Sequence, residues 1–268
     1  MKILGCFKVV PDLDLVAEED WCANDQFTVD TSYVKPMWNC FDESALEMML
    51  KLSDLSESFD VVYELNALTI GKSRHETFLK TLYALGYRHA VRIEAEEEIN
   101  FCPEQIAQAV AGYVKKYEPQ DIIVMGQQSS DGSNMKTPYL LAEMLGWPCI
   151  SQVTNMEPVD EHTIKITSEA ENGYYVQIIK TPCVLVVGNA ADSYLRVPTL
   201  KAKMSLGKQP IEHRTMDEVC EIPEESMVEI TDMKKVEKKR NTILIEGDSP
   251  EEKAEKAFES YLKERLEG

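Results

Sequence analysis

Asp121-Ile122-Ile123-Val124-Met125 runs directly into Gly126-Gln127-Gln128-Ser129-Ser130-Asp131-Gly132-Ser133-Asn134-Met135-Lys136-Thr137, an apolar run of strand length, then a polar loop, then a helical pattern. In an open parallel sheet, ligands sit beyond the carboxyl ends of strands, and the next helix offers unpaired N–H groups to an anion. The stretch therefore predicts a strand–loop–helix unit placed for a nucleotide's phosphates. Gly126 permits close backbone approach, the hydroxyls of Ser129, Ser130, Ser133 and Thr137 are donors for phosphate oxygens, and Lys136 adds a positive charge. A polar loop that caps a helix is the plainer reading of the same residues, because Ser, Asp and Gly are ordinary loop residues.

Outward from this unit, the N-terminal two-thirds alternates apolar runs at residues 3–10, 61–70, 90–95 and 122–125 with helical patterns. That alternation signals βαβ units and a parallel sheet. Helices are expected at 43–52 behind Asp42 as N-cap, at 73–85, after Pro103 up to about Pro119, and at 137–145 ending on Gly146. From 150 to 190 four strand-like runs (151–158, 163–169, 174–180 and 183–187) follow one another without a helix, with turn residues at Asp160-Glu161-His162 and Asn172-Gly173. These predict an antiparallel addition to the sheet.

After Leu200 the chain turns polar and aperiodic up to about Lys239, which reads as an extended arm. A last helix opens at Ser249-Pro250-Glu251-Glu252, a capping-box arrangement with Pro at the first helical position. Its stripe of Ala254, Ala257, Phe258, Tyr261, Leu262 and Leu266 demands burial against this chain or another subunit. The expected division is an α/β nucleotide-binding domain over 1–205 and an arm plus amphipathic helix over 206–268.

The 268 residues, 44% of them hydrophobic, suffice for a sizeable core. Lys and Arg total 28 against 47 Asp and Glu, a net charge of −19 that offers no basic footprint for nucleic acid. No stretch approaches the roughly 20 apolar residues of a membrane helix. Seven dispersed cysteines, with no CxxC pair and no secretion signal before Ile3, point to reduced thiols and a cytoplasmic chain. The four scattered histidines suggest no metal site. GxGxxG, GxxxxGK[ST], HExxH and GxSxG are all absent, which favours a binder or carrier over a hydrolase.

Two further clusters stand out. Asn39-Cys40-Phe41-Asp42 lies at a helix N-terminus, either as a cap with a core aromatic or as an adenine subsite, with Phe41 facing the ring and Asn39 bonding its edge. Lys8-Val9-Val10-Pro11-Asp12 ends the first strand, where Pro11 stops the ladder.

Taken together these segments resemble the β subunit of electron-transfer flavoproteins. The resemblance runs in order through residues 6–12, 39–47, 84–86, 126–132, 142–148 and 198–203. It implies a fold of the adenine-nucleotide α-hydrolase-like type and a heterodimer with an α subunit that holds a redox FAD. Carried over residue by residue, the nucleotide site would comprise Cys6, Asn39, Cys40, Phe41, Asp42, Ile70 and the loop from Gly126 to Thr137. The nucleotide there would be AMP, or a second FAD as in bifurcating members; Val10-Pro11-Asp12 and the C-terminal segment look more like the bifurcating type. The stretch 196–204 is similar to the family's docking segment for acyl-CoA dehydrogenases, with Leu200 as the anchor and Arg196 beside it. Many family members carry Gln at the place of Lys136. The resemblance thus implies electron transfer between NADH or an acyl-CoA dehydrogenase and a redox partner. A non-redox adenine-nucleotide sensor of the same fold is the alternative.

Overall fold

The computed structural model describes residues 1–25, 27–95, 99, 101–190, 194–220, 230–235 and 242–267. The chain order is β1 (Lys2–Cys6), β2 (Val9–Pro11), β3 (Pro36–Trp38), α1 (Cys40–Ser56), β4 (Glu64–Gly71), α2 (Glu76–Ala84), β5 (His89–Glu94), α3 (Pro103–Lys116), β6 (Ile122–Gly126) and α4 (Thr137–Leu145). There follow β7 (Cys149–Asp160), β8 (Thr163–Ala170), β9 (Gly173–Lys180), β10 (Cys183–Val187), α5 (Leu200–Ser205), β11 (Glu212–Thr215), α6 (Met216–Val219) and α7 (Pro250–Ala257). A π-type turn over Phe258–Leu262 leads into α8 (Lys263–Glu267).

Nine strands form one sheet in the order β11-β5-β4-β1-β6-β10-β7-β8-β9. The seven from β11 to β7 are parallel, and β8 and β9 are added antiparallel. The predicted α/β class and antiparallel addition are both present. Alternate residues of β1 feed two cores: Ile3 packs with Leu46, Met49 and Leu82 on the face of α1 and α2, and Leu4 packs with Val110, Val114 and Leu141 on the face of α3 and α4. Gly5 lies so close under α1 that a Cβ there would stand 2.7 Å from Leu46 Cδ2.

Four expectations need correction. The run 3–10 is two strands: Phe7 N–H bonds Leu68 O at 3.0 Å as the last ladder contact, Lys8 N–H turns to Asp42, and Val9–Pro11 pairs with Pro36–Trp38 in a separate ribbon. The first helix begins at Cys40, so Asp42 sits inside its first turn and Asn39 holds the cap position. The run 183–187 is no part of the antiparallel addition, because β10 lies between β6 and β7, parallel to both. The segment after Leu200 is not aperiodic throughout: β11 joins the sheet beside β5. Its residues are polar because Glu212 meets His89 at 2.9 Å and Arg214 by a close ion pair, and His213 meets Arg92 at 3.2 Å, in place of apolar burial.

The helix 137–145 matches its expected bounds, and Gly146 takes φ 68° as its C-cap. At the last helix Ser249 caps Glu252 N–H at 3.2 Å and the Glu252 carboxylate returns to Asp248 N–H at 2.8 Å. Among the described residues its apolar stripe is only partly covered: Phe258 and Tyr261 are 44% exposed and Leu266 is 73% exposed.

Candidate functional site

The chain builds β1, β4 and β5 outward in one direction and then crosses back to β6 on the other side of β1. In a doubly wound sheet the crevice at such a reversal is the binding position. A cavity of about 590 Å³ opens here across the carboxyl ends of β4, β1 and β6, within the range of about 300–1,000 Å³ typical of small-molecule and cofactor sites.

Asp42 organises the crevice. One carboxylate oxygen, Oδ2, accepts Lys8 N–H at 2.8 Å and Asn39 Nδ2–H at 3.0 Å, and the other accepts Gly126 N–H at 2.8 Å. The loop after β1, the first turn of α1 and the end of β6 are thereby tied to one buried group. Burial raises its pKa to about 6, against the lowering by these donors and by the Lys8 charge. Gly126 is required for this junction: a Cβ there would stand 2.5 Å from Asp42 Oδ1 and 2.7 Å from Phe41 Cβ. The close approach expected of Gly126 is therefore made to α1.

Asn39 is 1% exposed and lies on the cavity wall. Its Nδ2 donates to Asp42 Oδ2 and to Gln128 O at 2.7 Å, which fixes the orientation of the amide. Its Oδ1 is buried without a donor. An acceptor left open beside a cavity fits the exocyclic amine of an adenine, because an unpaired buried carbonyl is costly.

Of the other residues singled out from the sequence, Cys6 and Ile70 lie on the wall, as do Gly126, Gln127 and Gln128. So do Ser129, Ser130 and Asp131, then Asn134 and Thr137. Burial pushes the Cys6 thiol far up, with the Asp42 charge adding, so it stays protonated. The wall does not include Cys40, Phe41, Gly132, Ser133, Met135 or Lys136. Phe41 instead backs Gly126, Gly132 N–H donates to Ser129 Oγ at 3.3 Å, and Ser133 Oγ donates to Ser129 O at 2.9 Å. Lys136 is exposed, while its N–H bonds Asn134 Oδ1 at 3.0 Å. Ser133 (φ 45°) and Met135 (φ 56°) hold left-handed backbone, a conformation that costs non-glycine residues free energy and concentrates at functional loops.

The cation that reaches the cavity at this end is Lys8, whose Nζ pairs with Asp131 Oδ1 at 2.8 Å across the mouth between β1 and β6. Lys72, Arg74 and His75, directly after β4, also line the wall. Sequence reasoning marked Lys8 only as part of the exit from the first strand and passed over Lys72, Arg74 and His75 as site residues. The signal was available, since Gly71-Lys72-Ser73-Arg74-His75 follows a strand's carboxyl end as Gly126 to Thr137 does. Trp21, Phe27 and Met233, from segments without sheet pairing, complete the wall.

The residues expected to meet a partner lie elsewhere. Arg196 grips α1: its guanidinium pairs with Glu47 at 2.8 Å and Asp54 at 2.8 Å, and its N–H donates to Glu47 Oε2 at 2.9 Å. Leu195 N–H donates to Glu43 Oε1 at 3.1 Å. Leu200, 74% exposed, opens α5 behind the Thr199 cap. Arg196 thus anchors the segment that displays Leu200.

Among the described residues, no group of three or more His, Cys, Asp or Glu is placed to hold a metal ion. No helix among them is long and apolar enough to cross a membrane.

Residues 27–219 match the family described as "Electron transfer flavoprotein domain". The chain is 32% identical over 269 residues, the full length of both proteins, to "Putative electron transfer flavoprotein subunit YgcR" of Escherichia coli. It is 25% identical to the electron transfer flavoprotein subunit beta of Bradyrhizobium diazoefficiens over 81% of this chain and 82% of the relative. The corresponding subunit of Dictyostelium discoideum is also 25% identical, over 69% of this chain and 70% of the relative.

Proposed function

The chain belongs to the electron transfer flavoprotein family, among its β subunits, and from that premise we propose that it binds an adenine nucleotide, FAD or AMP, in the crevice between β1 and β6 as one half of a heterodimer with an α subunit. The observation that carries this reading is the buried Asn39 amide, fixed through Nδ2 and open at Oδ1, on the wall of a 590 Å³ cavity.

Asn39 would accept the adenine amine. Gln127, Ser129, Ser130 and Thr137 would donate to the phosphate, and Lys8 would hold the loop closed through Asp131. A flavin bound here would itself supply the electron-transfer chemistry, and the protein contributes position, electrostatics and exclusion of water. None of the wall residues is required as a nucleophile or general base.

The α subunit would cover the exposed stripe on α7 and α8 and the apolar edge strand β9, where Tyr174 is 68% and Ile178 64% exposed. Leu200 on α5 would meet an acyl-CoA dehydrogenase-type partner. The exposed apolar side chains of β9 and of the C-terminal stripe support a partner-bound state, since large exposed apolar patches mark interaction sites.

The test is cofactor content. The chain is co-expressed with its candidate α subunit, the complex is purified, and FAD and AMP released on denaturation are quantified. Two FAD per heterodimer identifies a second flavin in this subunit and makes NADH oxidation the next assay. One FAD and one AMP identifies a single-flavin shuttle. A complex without nucleotide overturns the reading, and no nucleotide with no complex overturns it and leaves the non-redox sensor.

A further inference from the structure

We propose that the end of the cavity at β4 is a second anion subsite, in which Lys72, Arg74 and His75 receive a further phosphate group beside the nucleotide. The proposal rests on the nucleotide reading and names the class of ligand the crevice takes: one that brings two phosphate groups.

The first argument is where the charge lies. At the loop after β6 the Lys8 ammonium is taken by Asp131, Asp42 adds a buried carboxyl group, and Lys136 is off the wall. Among the described residues that end offers amide and hydroxyl dipoles but no uncompensated cation. At the β4 end, neither Lys72 nor Arg74 has a carboxylate within ion-pair distance among the described residues, and both line the cavity. A site lined by cations of one sign focuses its potential on an anion.

The second argument is independent of charge. His75 is 9% exposed, lies on the same wall, and its Nδ1 has no hydrogen-bond partner. Gly71 allows this placement, since a Cβ there would stand 2.4 Å from that atom. Burial, with Arg74, Lys72 and Arg92 adding, holds the imidazole pKa down at about 4. A neutral ring carries one N–H and is free to donate it at Nδ1 to a phosphate oxygen. A buried polar atom without a partner, on the same wall as two cations that have no carboxylate partner among the described residues, is the arrangement an anion completes.

The third argument is reach. β4 and β6 flank β1, so the two ends of the cavity are about 10 Å apart at the usual strand spacing. Two phosphate groups and the length of a Lys or Arg side chain span that interval. The further phosphate comes either from the same molecule, as in ADP or a dinucleotide, or from a separate phosphorylated ligand beside a mononucleotide.

The test is calorimetric titration of the full chain with AMP, with ADP, and with inorganic phosphate after AMP saturation. Each titration is repeated at two salt concentrations and on the Lys72→Gln/Arg74→Gln variant. ADP binding at least tenfold tighter than AMP, with the advantage lost in the variant while AMP affinity stays within twofold, supports the subsite and assigns both phosphates to one molecule. Equal AMP and ADP affinity, with phosphate binding to the AMP-saturated protein that the variant abolishes, supports it with a separate source. AMP binding with no gain from ADP or phosphate overturns the subsite and leaves the nucleotide reading intact. Failure of both nucleotides to bind overturns the nucleotide reading and the subsite with it. Lys72 and Arg74 are not buried, so the variant should keep the unfolding midpoint of the native protein.

Discussion

The Asp42 carboxylate and the Gly126 N–H, 84 residues apart in sequence, meet at 2.8 Å where α1 crosses the end of β6. This contact joins the two segments that wall the crevice, and it forms only because position 126 has no side chain. Gly126→Ala should therefore displace the first turn of α1. The expected result is about 1–3 kcal/mol of destabilisation in urea unfolding, together with loss of adenine-nucleotide binding by titration.

Asp42 and His75 impose opposite pH dependences on folding. The pKa of Asp42, raised to about 6 from 3.8, makes the native state the better proton binder between those values, so its contribution to stability falls as pH rises through that window. The pKa of His75, lowered to about 4 from 6.5, makes the unfolded state the better proton binder, so its contribution rises from pH 4 to 6.5. Each effect is about 3 kcal/mol at its limit, and in the native protein they largely cancel. Relative to the native protein, His75→Gln should lose stability with rising pH between 4 and 6.5, and Asp42→Asn should gain it, as measured by chemical denaturation across pH.

Arg196 holds the base of the Leu200 segment to α1, and removing it leaves Glu47, only 6% exposed, without its cation. Arg196→Ala should cost about 1–3 kcal/mol, below the 3–5 kcal/mol of a fully buried pair, because Arg196 itself is 38% exposed. Hydrogen exchange should accelerate at residues 195–205 while β1 and β6 remain protected. Leu200→Ala, at an exposed position, should leave stability within about 0.5 kcal/mol and weaken docking to an acyl-CoA dehydrogenase-type protein.

The stripe on the C-terminal helix makes a different forecast. Phe258→Asp with Leu262→Asp should leave the midpoint of the isolated chain unchanged, since both side chains are over 40% exposed. The same pair should abolish co-purification of the α subunit. A drop in the midpoint of the isolated chain would show that the stripe is covered by its own fold.

Local signals were legible from sequence where local physics sets the structure. The helix from Thr137 to Leu145 has its bounds because Pro138 suits a first turn and Gly146 takes positive φ. Asp42 was misplaced because a capping residue and a residue whose carboxylate serves a distant loop look alike until Lys8 and Gly126 are brought to it. Glu212–Thr215 escaped notice because an edge strand held by ion pairs carries no apolar alternation. The pairing sense of Cys183–Val187 was misread because both neighbours of β10 come from far along the chain. The same limit hid the subsite at Lys72, Arg74 and His75, which becomes visible only when β4 and β6 are set on either side of β1.

The strand that closes the sheet beside β5 has a consequence for biosynthesis. Val91 pairs with Glu212, a residue made 121 positions later. At about 5–20 residues per second, the ribosome needs roughly 6–24 s after making β5 to supply its outer neighbour. Throughout that interval the nascent chain presents a row of unpaired N–H and C=O groups along β5, available to any passing strand. Arg92, flanked in the finished protein by Glu76 and Glu94, places a charge in that open edge before its partner arrives.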